Sequence, residues 1–157
     1  MTSNLLVLSA LISLCFVLQP TRGGCSAVAA TPGSTEDQGK AVETSMHDFM
    51  EGVFQGPYRR LKQSMSTEKK TNATWKAIRG EALILAEGGN LLLLRKPKKD
   101  VEDWLKYSVA SRDAGAELFK AAKKKDTEGA MKSYRSMLQQ CNACHKQFDN
   151  GKNQLEP

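Results

Sequence analysis

Two cysteines and a histidine near the C-terminus have the residue types and the spacing that could do chemistry in this chain. They stand in the sequence Cys141-Asn142-Ala143-Cys144-His145. On a helix, thiols three positions apart lie about one turn from each other, so both can form thioether bonds to the two vinyl groups on one edge of a porphyrin. The imidazole that follows can then bind the iron as its proximal ligand. The motif therefore predicts one covalently bound haem c, attached through Cys141 and Cys144 and ligated by His145.

Three other interpretations of the same motif are open at this point: a zinc half-site, a redox dithiol and a structural disulfide. A structural zinc ion takes four protein ligands, and an exported chain would add only His47, or Cys25 if that residue is retained. A redox Cys-x-x-Cys is expected beside a βαβ pattern, which the sequence does not show. The features described next favour haem over these alternatives.

The N-terminus has the pattern of an export signal. The fourteen residues from Leu5 to Leu18 are almost entirely apolar, which is short for a membrane span and typical of a signal-peptide core. Ala27–Ala29 offers a small-x-small cleavage site, so we predict a signal peptide over residues 1–29. A lipoprotein signal with an acylated Cys25 is the alternative, although Arg22 argues against it. We expect a periplasmic or otherwise exported protein, on a membrane only if Cys25 carries lipid.

The rest of the chain favours helix over sheet. Val and Ile are scarce while Ala, Leu, Lys, Glu and Met are common. Residues 30–39 are small and polar, which predicts a flexible linker, and residues 151–157 are expected to be a disordered tail. Between them, apolar residues recur at steps of three and four in four segments, from about Lys40 to Ser66, Asn72 to Arg95, Val101 to Lys124 and Thr127 to Asp149. Short connections between four long helices predict an all-α, antiparallel up-down-up-down four-helix bundle.

Local signals refine these four helices. Gly56-Pro57 predicts a kink or short break in the first helix, whereas the second helix is expected to continue through Gly88-Gly89. Leu91 to Leu94 are apolar on all sides and are therefore expected to pack deeply. Asp100 is a plausible N-cap of the third helix, and Asp126 or the following threonine of the fourth. The cysteines and the histidine lie on the apolar stripe of that fourth helix.

The sequence also resembles a known family. The last helix carries Cys141-x-x-Cys144-His145-x-x-Phe148 close to the C-terminus, preceded by Asp126 and by an Ala-rich third helix. With these residues and a methionine-bearing first helix, the chain resembles the class II cytochromes c, of which cytochrome c′ is the high-spin branch. The resemblance covers roughly residues 40–150, which it assigns to one four-helix cytochrome domain with haem packed between helices at one end. It is compatible with a homodimer through the first two helices.

In that family the distal side of the haem faces the first helix. Low-spin members supply a methionine sulfur there, and high-spin members leave the iron open. Met46 and Met50 are four residues apart and share the inner face of the first helix, whereas His47 is offset from it. The resemblance implies Met50 as the distal ligand, with Met46, His47 or no ligand as alternatives, because a methionine on an apolar stripe can also be core filler.

Further residues are candidates for the surroundings of the haem. Arginine matches the geometry of carboxylates such as the haem propionates, although surface arginines more often face water. Aromatic residues on inner faces are core first and pocket second. The candidates are Arg59, Arg60 and Arg112 for the propionates and Trp75, Trp104, Tyr107 and Tyr134 for the pocket.

These observations predict an exported c-type cytochrome that carries single electrons. The alternative is a high-spin haem protein that binds or senses small gases such as NO or CO. A formal net charge of +6 with dispersed lysines suggests acidic redox partner proteins, attracted by electrostatic steering, and nothing in the sequence resembles a nucleic-acid-binding module. An enzyme is not predicted, because with only His47 and His145 the chain offers few groups for acid–base catalysis.

Overall fold

The computed structural model describes residues 39–157, which form helices and, within that range, no β-strand. The helices are α1, composed of the contiguous segments Met46–Phe49, Met50–Gln55 and Gly56–Ser66, then α2 (Asn72–Leu93), α3 (Val101–Lys124) and α4 (Thr127–Phe148). The predicted all-α class with four helices is confirmed for this part of the chain. The predicted signal peptide, and all but the last residue of the predicted linker, lie outside the described residues. None of the helices from residue 39 onwards combines the length and the apolar character that a membrane span requires.

Helix α1 starts later than the periodicity predicts, at Met46 instead of near Lys40. Ser45 is its N-cap, and the Ser45 hydroxyl accepts a hydrogen bond from the Asp48 amide at 3.2 Å. The central segment Met50–Gln55 is a π-helix, and Pro57 follows it within the first turn of the last segment. A proline cannot make the ordinary i→i−4 bond, and a wider π turn accommodates that loss without ending the helix. The predicted disruption is therefore a π-helical segment inside a continuous helix.

Helix α2 runs without a break through Gly88 and Gly89, as predicted. The predicted inner face is also confirmed, because its members are all buried: Trp75, Ile78, Ala82, Leu85, Gly89 and Leu92. The expectation of deep packing at the C-terminal end is wrong for two residues, since Leu91 and Leu94 keep 40% and 47% of their surface exposed. The helices that pack on α2 cover its opposite face, so an apolar run on all sides does not bury every member.

The glycines of α2 and α3 allow these two helices to approach closely. A Cβ atom at Gly89 would lie 2.8 Å from the Cβ and 3.1 Å from the Cα of Arg112. A Cβ at Gly115 would lie 3.1 Å from the Cβ of Ala86, and one at Gly88 would lie 2.8 Å from the ring of Phe54. These distances are shorter than ordinary contacts between side chains, so larger residues here would push the helices apart.

The predicted caps of the last two helices have different outcomes. Asp126 is the N-cap of α4, and its carboxylate accepts a hydrogen bond from the Gly129 amide at 3.0 Å, as predicted. Asp100 occupies the N-cap position of α3 but makes no side-chain capping bond, because its backbone is left-handed with φ 54°. Helix α4 ends at Phe148 and is followed by two left-handed residues, Asn150 and Gly151.

Residues 151–157, which we call the C-terminal strap, turn back along α4 instead of forming the expected disordered tail. Leu155 packs against the hydrophobic core. Its backbone pairs with the side chain of Asn142 in α4, and the backbone of Glu156 pairs with the hydroxyl of Tyr58 in α1. The side chains of Asn142 and Tyr58 thus form hydrogen bonds with the backbone of the strap, and these bonds hold the strap against both α4 and α1.

Packing joins α1 to α2, α2 to α3 and α3 to α4. The interior between them is filled by large apolar side chains, of which the most deeply buried are Leu61, Ile78, Leu118 and Tyr134. Trp104 extends this core, because its ring is buried and its indole N–H donates to the Leu92 carbonyl at 3.0 Å. Towards the N-terminal part of α1 and the C-terminal part of α4, the core gives way to a cavity.

Candidate functional site

A cavity of about 500 Å³ lies among the four helices and the C-terminal strap. Its volume is within the range of roughly 300–1,000 Å³ that is usual for small-molecule and cofactor sites. The residues that line it include all five that the sequence singles out for haem binding: Met46, Met50, Cys141, Cys144 and His145. Residues almost a hundred positions apart in the chain therefore meet at one site.

The walls of the cavity are largely apolar and aromatic. Leu85 and Leu92 of α2, Trp104 of α3 and Phe148 of α4 all line it. The rings of Trp104 and Phe148 meet edge to face with their centroids 5.1 Å apart, an arrangement that adds to the favourable burial of both rings. Such walls suit a large apolar ligand.

Both cysteines of α4 are free thiols at this cavity. The Cys141 sulfur lies 3.5 Å from the Ser111 hydroxyl oxygen. Burial raises the pKa of the Cys141 thiol. Burial, and to a smaller extent the neighbouring Cys141, raises the pKa of the Cys144 thiol to about 11. Redox-active dithiols have lowered thiol pKa values, the opposite of the direction found at both cysteines.

The arrangement does not support a zinc half-site either. Within residues 39–157, the group of three side chains close enough to share a metal ion is His47, Asp48 and Glu51 at the start of α1. All three are exposed, and the group includes neither Cys141 nor Cys144.

The imidazole of His145 is oriented by a hydrogen bond. Its Nδ1 atom lies 2.8 Å from the carbonyl oxygen of Asn153 in the C-terminal strap. A carbonyl oxygen can only accept, so Nδ1 carries a proton, and in the neutral imidazole Nε2 then keeps its lone pair. Histidines that bind metals generally donate their other ring N–H to such a partner, which makes Nε2 of His145 available as an iron ligand.

Two thioethers of α1 share the cavity with His145. Met46 and Met50 are partly buried, pack against the core and line the cavity. His47 also lines it, but its side chain is 81% exposed and lies 3.8 Å from the Glu51 carboxylate. The structure thus brings the two predicted methionines to the site and leaves the histidine between them on its outer side.

Some of the arginines and aromatic residues proposed for the surroundings of the haem lie at the cavity, and the others lie elsewhere. Arg59 lines the cavity, whereas Arg60 pairs with Glu81 at 2.6 Å and Arg112 pairs with Asp113 at 2.8 Å. Trp104 and Tyr107 line the cavity, and Trp75 and Tyr134 belong to the core. Of the arginines proposed for the propionates, Arg59 is therefore the one positioned at the site.

Sequence reasoning missed three features of the site. The first is the π-helical form of the segment that begins at Met50, because Gly56-Pro57 predicted only a kink or short break. The second is the strap, whose contacts no local pattern reveals. The third is Ser108, which lines the cavity with a buried hydroxyl that has no hydrogen-bond partner within the described protein. A buried hydroxyl of this kind costs free energy unless a ligand or water satisfies it.

No family model, curated protein or solved structure matches the chain. The resemblance to class II cytochromes c therefore stays a prediction from the motif and its context in the sequence.

Proposed function

We propose that this chain is an exported c-type cytochrome that carries single electrons by means of one covalently bound haem c. The observation that carries the proposal is the convergence of Cys141, Cys144 and His145 with Met46 and Met50 on one apolar cavity. Two free thiols, an oriented imidazole and a thioether are the protein groups that attach and ligate such a haem.

Each residue has a stated role in this proposal. Cys141 and Cys144 form the thioether bonds, Nε2 of His145 is the proximal iron ligand, and Met50 supplies the distal sulfur, with Met46 as the alternative. When bound, haem c supplies reversible one-electron chemistry at its iron. The fit is supported by the cavity volume and apolar walls, and by Ser108, whose unpaired hydroxyl lines the cavity and could bond a polar group of the ligand or a water beside it.

The protein's part in electron transfer follows from these residues. His145 on α4 and Met50 on α1 would hold the haem between these two helices. A methionine sulfur favours the reduced iron and raises the reduction potential relative to other ligands. The apolar walls strengthen every electrostatic interaction inside the cavity.

The wider assignment is part of the same proposal. The four helices form an antiparallel up-down-up-down bundle, and the leader directs the chain to the periplasm or another exported location. An excess of basic over acidic side chains attracts acidic redox proteins as its partners. Association into a homodimer is compatible with the exposed Ile84 and Leu91 on α2 and with the exposed Leu94 that caps it.

Haem attachment tests the proposal directly. The full chain is expressed in a host with a c-type cytochrome maturation system, purified, and analysed by intact mass and by the spectrum of the haem–pyridine complex. We expect one haem that survives acid–acetone extraction. Cys141→Ser and Cys144→Ser should each leave a single thioether and shift that spectrum, and the double variant should lose the covalent haem. Colourless wild-type protein with two alkylatable thiols on α4 would contradict the proposal.

The same material distinguishes the carrier from the alternative gas-binding protein. A low-spin spectrum with a methionine–iron charge-transfer band supports the carrier, because the sixth position is then filled. A high-spin spectrum that shifts when carbon monoxide is added supports gas binding and would replace the electron-carrier assignment while leaving the haem in place.

A further inference from the structure

We propose that the C-terminal strap is a positioning element of the haem site, which fixes the His145 imidazole and lowers the reduction potential of the bound haem. The contact that carries this inference is the 2.8 Å hydrogen bond between Nδ1 of His145 and the carbonyl oxygen of Asn153. The inference rests on the proposed function, because it assigns the strap a role toward the haem that His145 would ligate.

The strap is held to α4 by a paired set of hydrogen bonds. The side-chain amide of Asn142 donates to the Leu155 carbonyl at 2.9 Å, and its oxygen accepts from the Leu155 amide at 2.7 Å. Asn142 stands between the two cysteines, so the bond pair ties the strap to the same helical turn that carries the haem attachment.

A second anchor joins the strap to α1. The hydroxyl of Tyr58 donates to the Glu156 carbonyl at 2.8 Å and accepts from the Glu156 amide at 3.1 Å. Tyr58 lines the same cavity as Met50. The strap therefore spans from the helix of the proximal histidine to the helix of the distal methionine.

Local backbone geometry aims the Asn153 carbonyl. Asn153 is left-handed with φ 54°, and its side-chain amide donates to the Asp149 carboxylate at 3.0 Å. Asparagine tolerates this conformation better than most residues, and proline, whose φ is fixed near −65°, cannot adopt it. The backbone N–H of Asn153 takes part in none of the hydrogen bonds that tie the strap down.

The expected consequence for the iron is electronic. An imidazole that donates its Nδ1 proton to a carbonyl is a more basic ligand at Nε2. A more basic ligand stabilises the oxidised iron more than the reduced iron, so the bond should lower the reduction potential. This opposes the effect of the distal methionine, and the strap thus tunes the same property from the other side of the haem.

Two substitutions at one position separate the backbone from the side chain. Asn153→Pro redirects the carbonyl, whereas Asn153→Gly removes the side chain but retains the left-handed backbone and the carbonyl. Both are made in the full chain and loaded with haem. We expect Asn153→Pro to raise the reduction potential and to accelerate solvent exchange of the His145 Nδ1 proton, followed by NMR of the reduced protein. Asn153→Gly keeps the carbonyl and loses only the side-chain bond to Asp149, so it should shift both values less than Asn153→Pro does.

The outcomes distinguish the strap from the haem assignment. Wild-type protein without haem would contradict the proposed function. Haem-loaded Asn153→Pro with an unchanged potential and an unchanged exchange rate would overturn the role of the strap alone. If Asn153→Pro does not mature, solvent exchange of the His145 Nδ1 proton in the wild-type protein tests the inference. Exchange as fast as in a solvent-exposed imidazole would overturn it, and slower exchange would support it.

Discussion

The two sides of the cavity differ in how firmly their ligand candidates are fixed. On α4, His145 has its tautomer and orientation determined by a carbonyl oxygen. On α1, Met46 and Met50 both reach the cavity and neither sulfur has a partner that would single it out. Met50 is the first residue of the π-helical segment, and such segments are frequent at functional sites because they reposition the side chains that follow. Met50 therefore stays the proposed distal ligand, with Met46 as the alternative.

Replacement of each methionine in turn tests that choice. We expect Met50→Ala to convert the haem protein from low spin to high spin, to abolish the methionine–iron charge-transfer band and to open the iron to carbon monoxide. Met46→Ala is the matched control, since it removes the neighbouring thioether from the same face and should leave the spectrum unchanged. The measurement is the absorption spectrum of the oxidised and reduced proteins with and without carbon monoxide.

Three other results are each informative. A spectrum altered only in Met46→Ala would assign the ligand to Met46. Spectra unchanged in both variants would exclude a methionine ligand and contradict the distal side of the proposal. A fall in thermal stability of either variant without a spectral change would indicate that the residue is core filler.

At the scale of the helices, α2 is the element on which both α1 and α3 pack. Gly88 receives the ring of Phe54 from α1, and Gly89 receives the backbone of Arg112 from α3. The two adjacent glycines thus allow two different helices to pack closely on α2. Because α1 and α3 carry parts of the cavity wall, the close approach at these glycines also sets its width.

Substitution of Gly89 tests this packing. Alanine is a better helix former than glycine by about 1 kcal/mol, but its Cβ would lie 2.8 Å from the Cβ and 3.3 Å from the backbone nitrogen of Arg112. We expect Gly89→Ala to lower the free energy of unfolding by about 1–3 kcal/mol, measured by urea denaturation. Gly80→Ala is the control on the same helix, where a Cβ meets nothing within 4 Å, and it should raise the free energy of unfolding by up to about 1 kcal/mol. Equal stabilisation by both substitutions would contradict the tight α2–α3 contact.

Periodicity predicted the helices well because it reports the side of each helix that avoids water. It identified the inner face of α2, including Gly89, and placed Cys141 and Cys144 on the inward side of α4. It does not report which neighbours are present, so it expected burial of Leu91 and Leu94, which are exposed. In α1, Pro57 cannot make the ordinary helical hydrogen bond, and the helix continues through a π-helical segment. Whether a helix continues or breaks at a proline depends on packing, which periodicity does not report.

The candidate site also has parts that the local sequence predicts and parts that depend on contacts between distant residues. Residue type and spacing predicted the three residues of the motif, and the family resemblance implied the two methionines of α1. The structure places all five at one cavity. The strap could not be predicted, because Tyr58 and Glu156 are 98 positions apart and nothing in a polar terminal segment indicates such a partner. The environment of Ser108 is equally non-local, since its burial depends on several helices at once.

At the scale of the whole molecule, the core and the cavity differ in whether they should contain polar groups without a hydrogen-bond partner. The cavity benefits from polar groups left for a ligand, whereas the core should contain none. Tyr134 departs from this rule, because it is fully buried in the core and its hydroxyl has no hydrogen-bond partner within the described protein. Burial, with a smaller contribution from nearby Tyr58, raises the pKa of Tyr134 well above its ordinary value of 10.0. Its hydroxyl therefore reduces the stability of the fold instead of adding to it.

Tyr134→Phe should consequently stabilise the protein, and the effect should grow with pH. At neutral pH, removal of an unsatisfied buried hydroxyl is expected to raise the free energy of unfolding by about 1 kcal/mol. Above pH 10.0 the unfolded wild-type chain releases the tyrosine proton while the folded chain retains it. The wild type then loses about 1.4 kcal/mol of stability per pH unit, a loss that the phenylalanine variant does not share. Urea denaturation of both haem-loaded proteins between pH 7 and 11 measures the difference, in which titration of the lysines cancels. A difference that stays constant across this range would show that the Tyr134 hydroxyl reaches water or a partner in the folded protein.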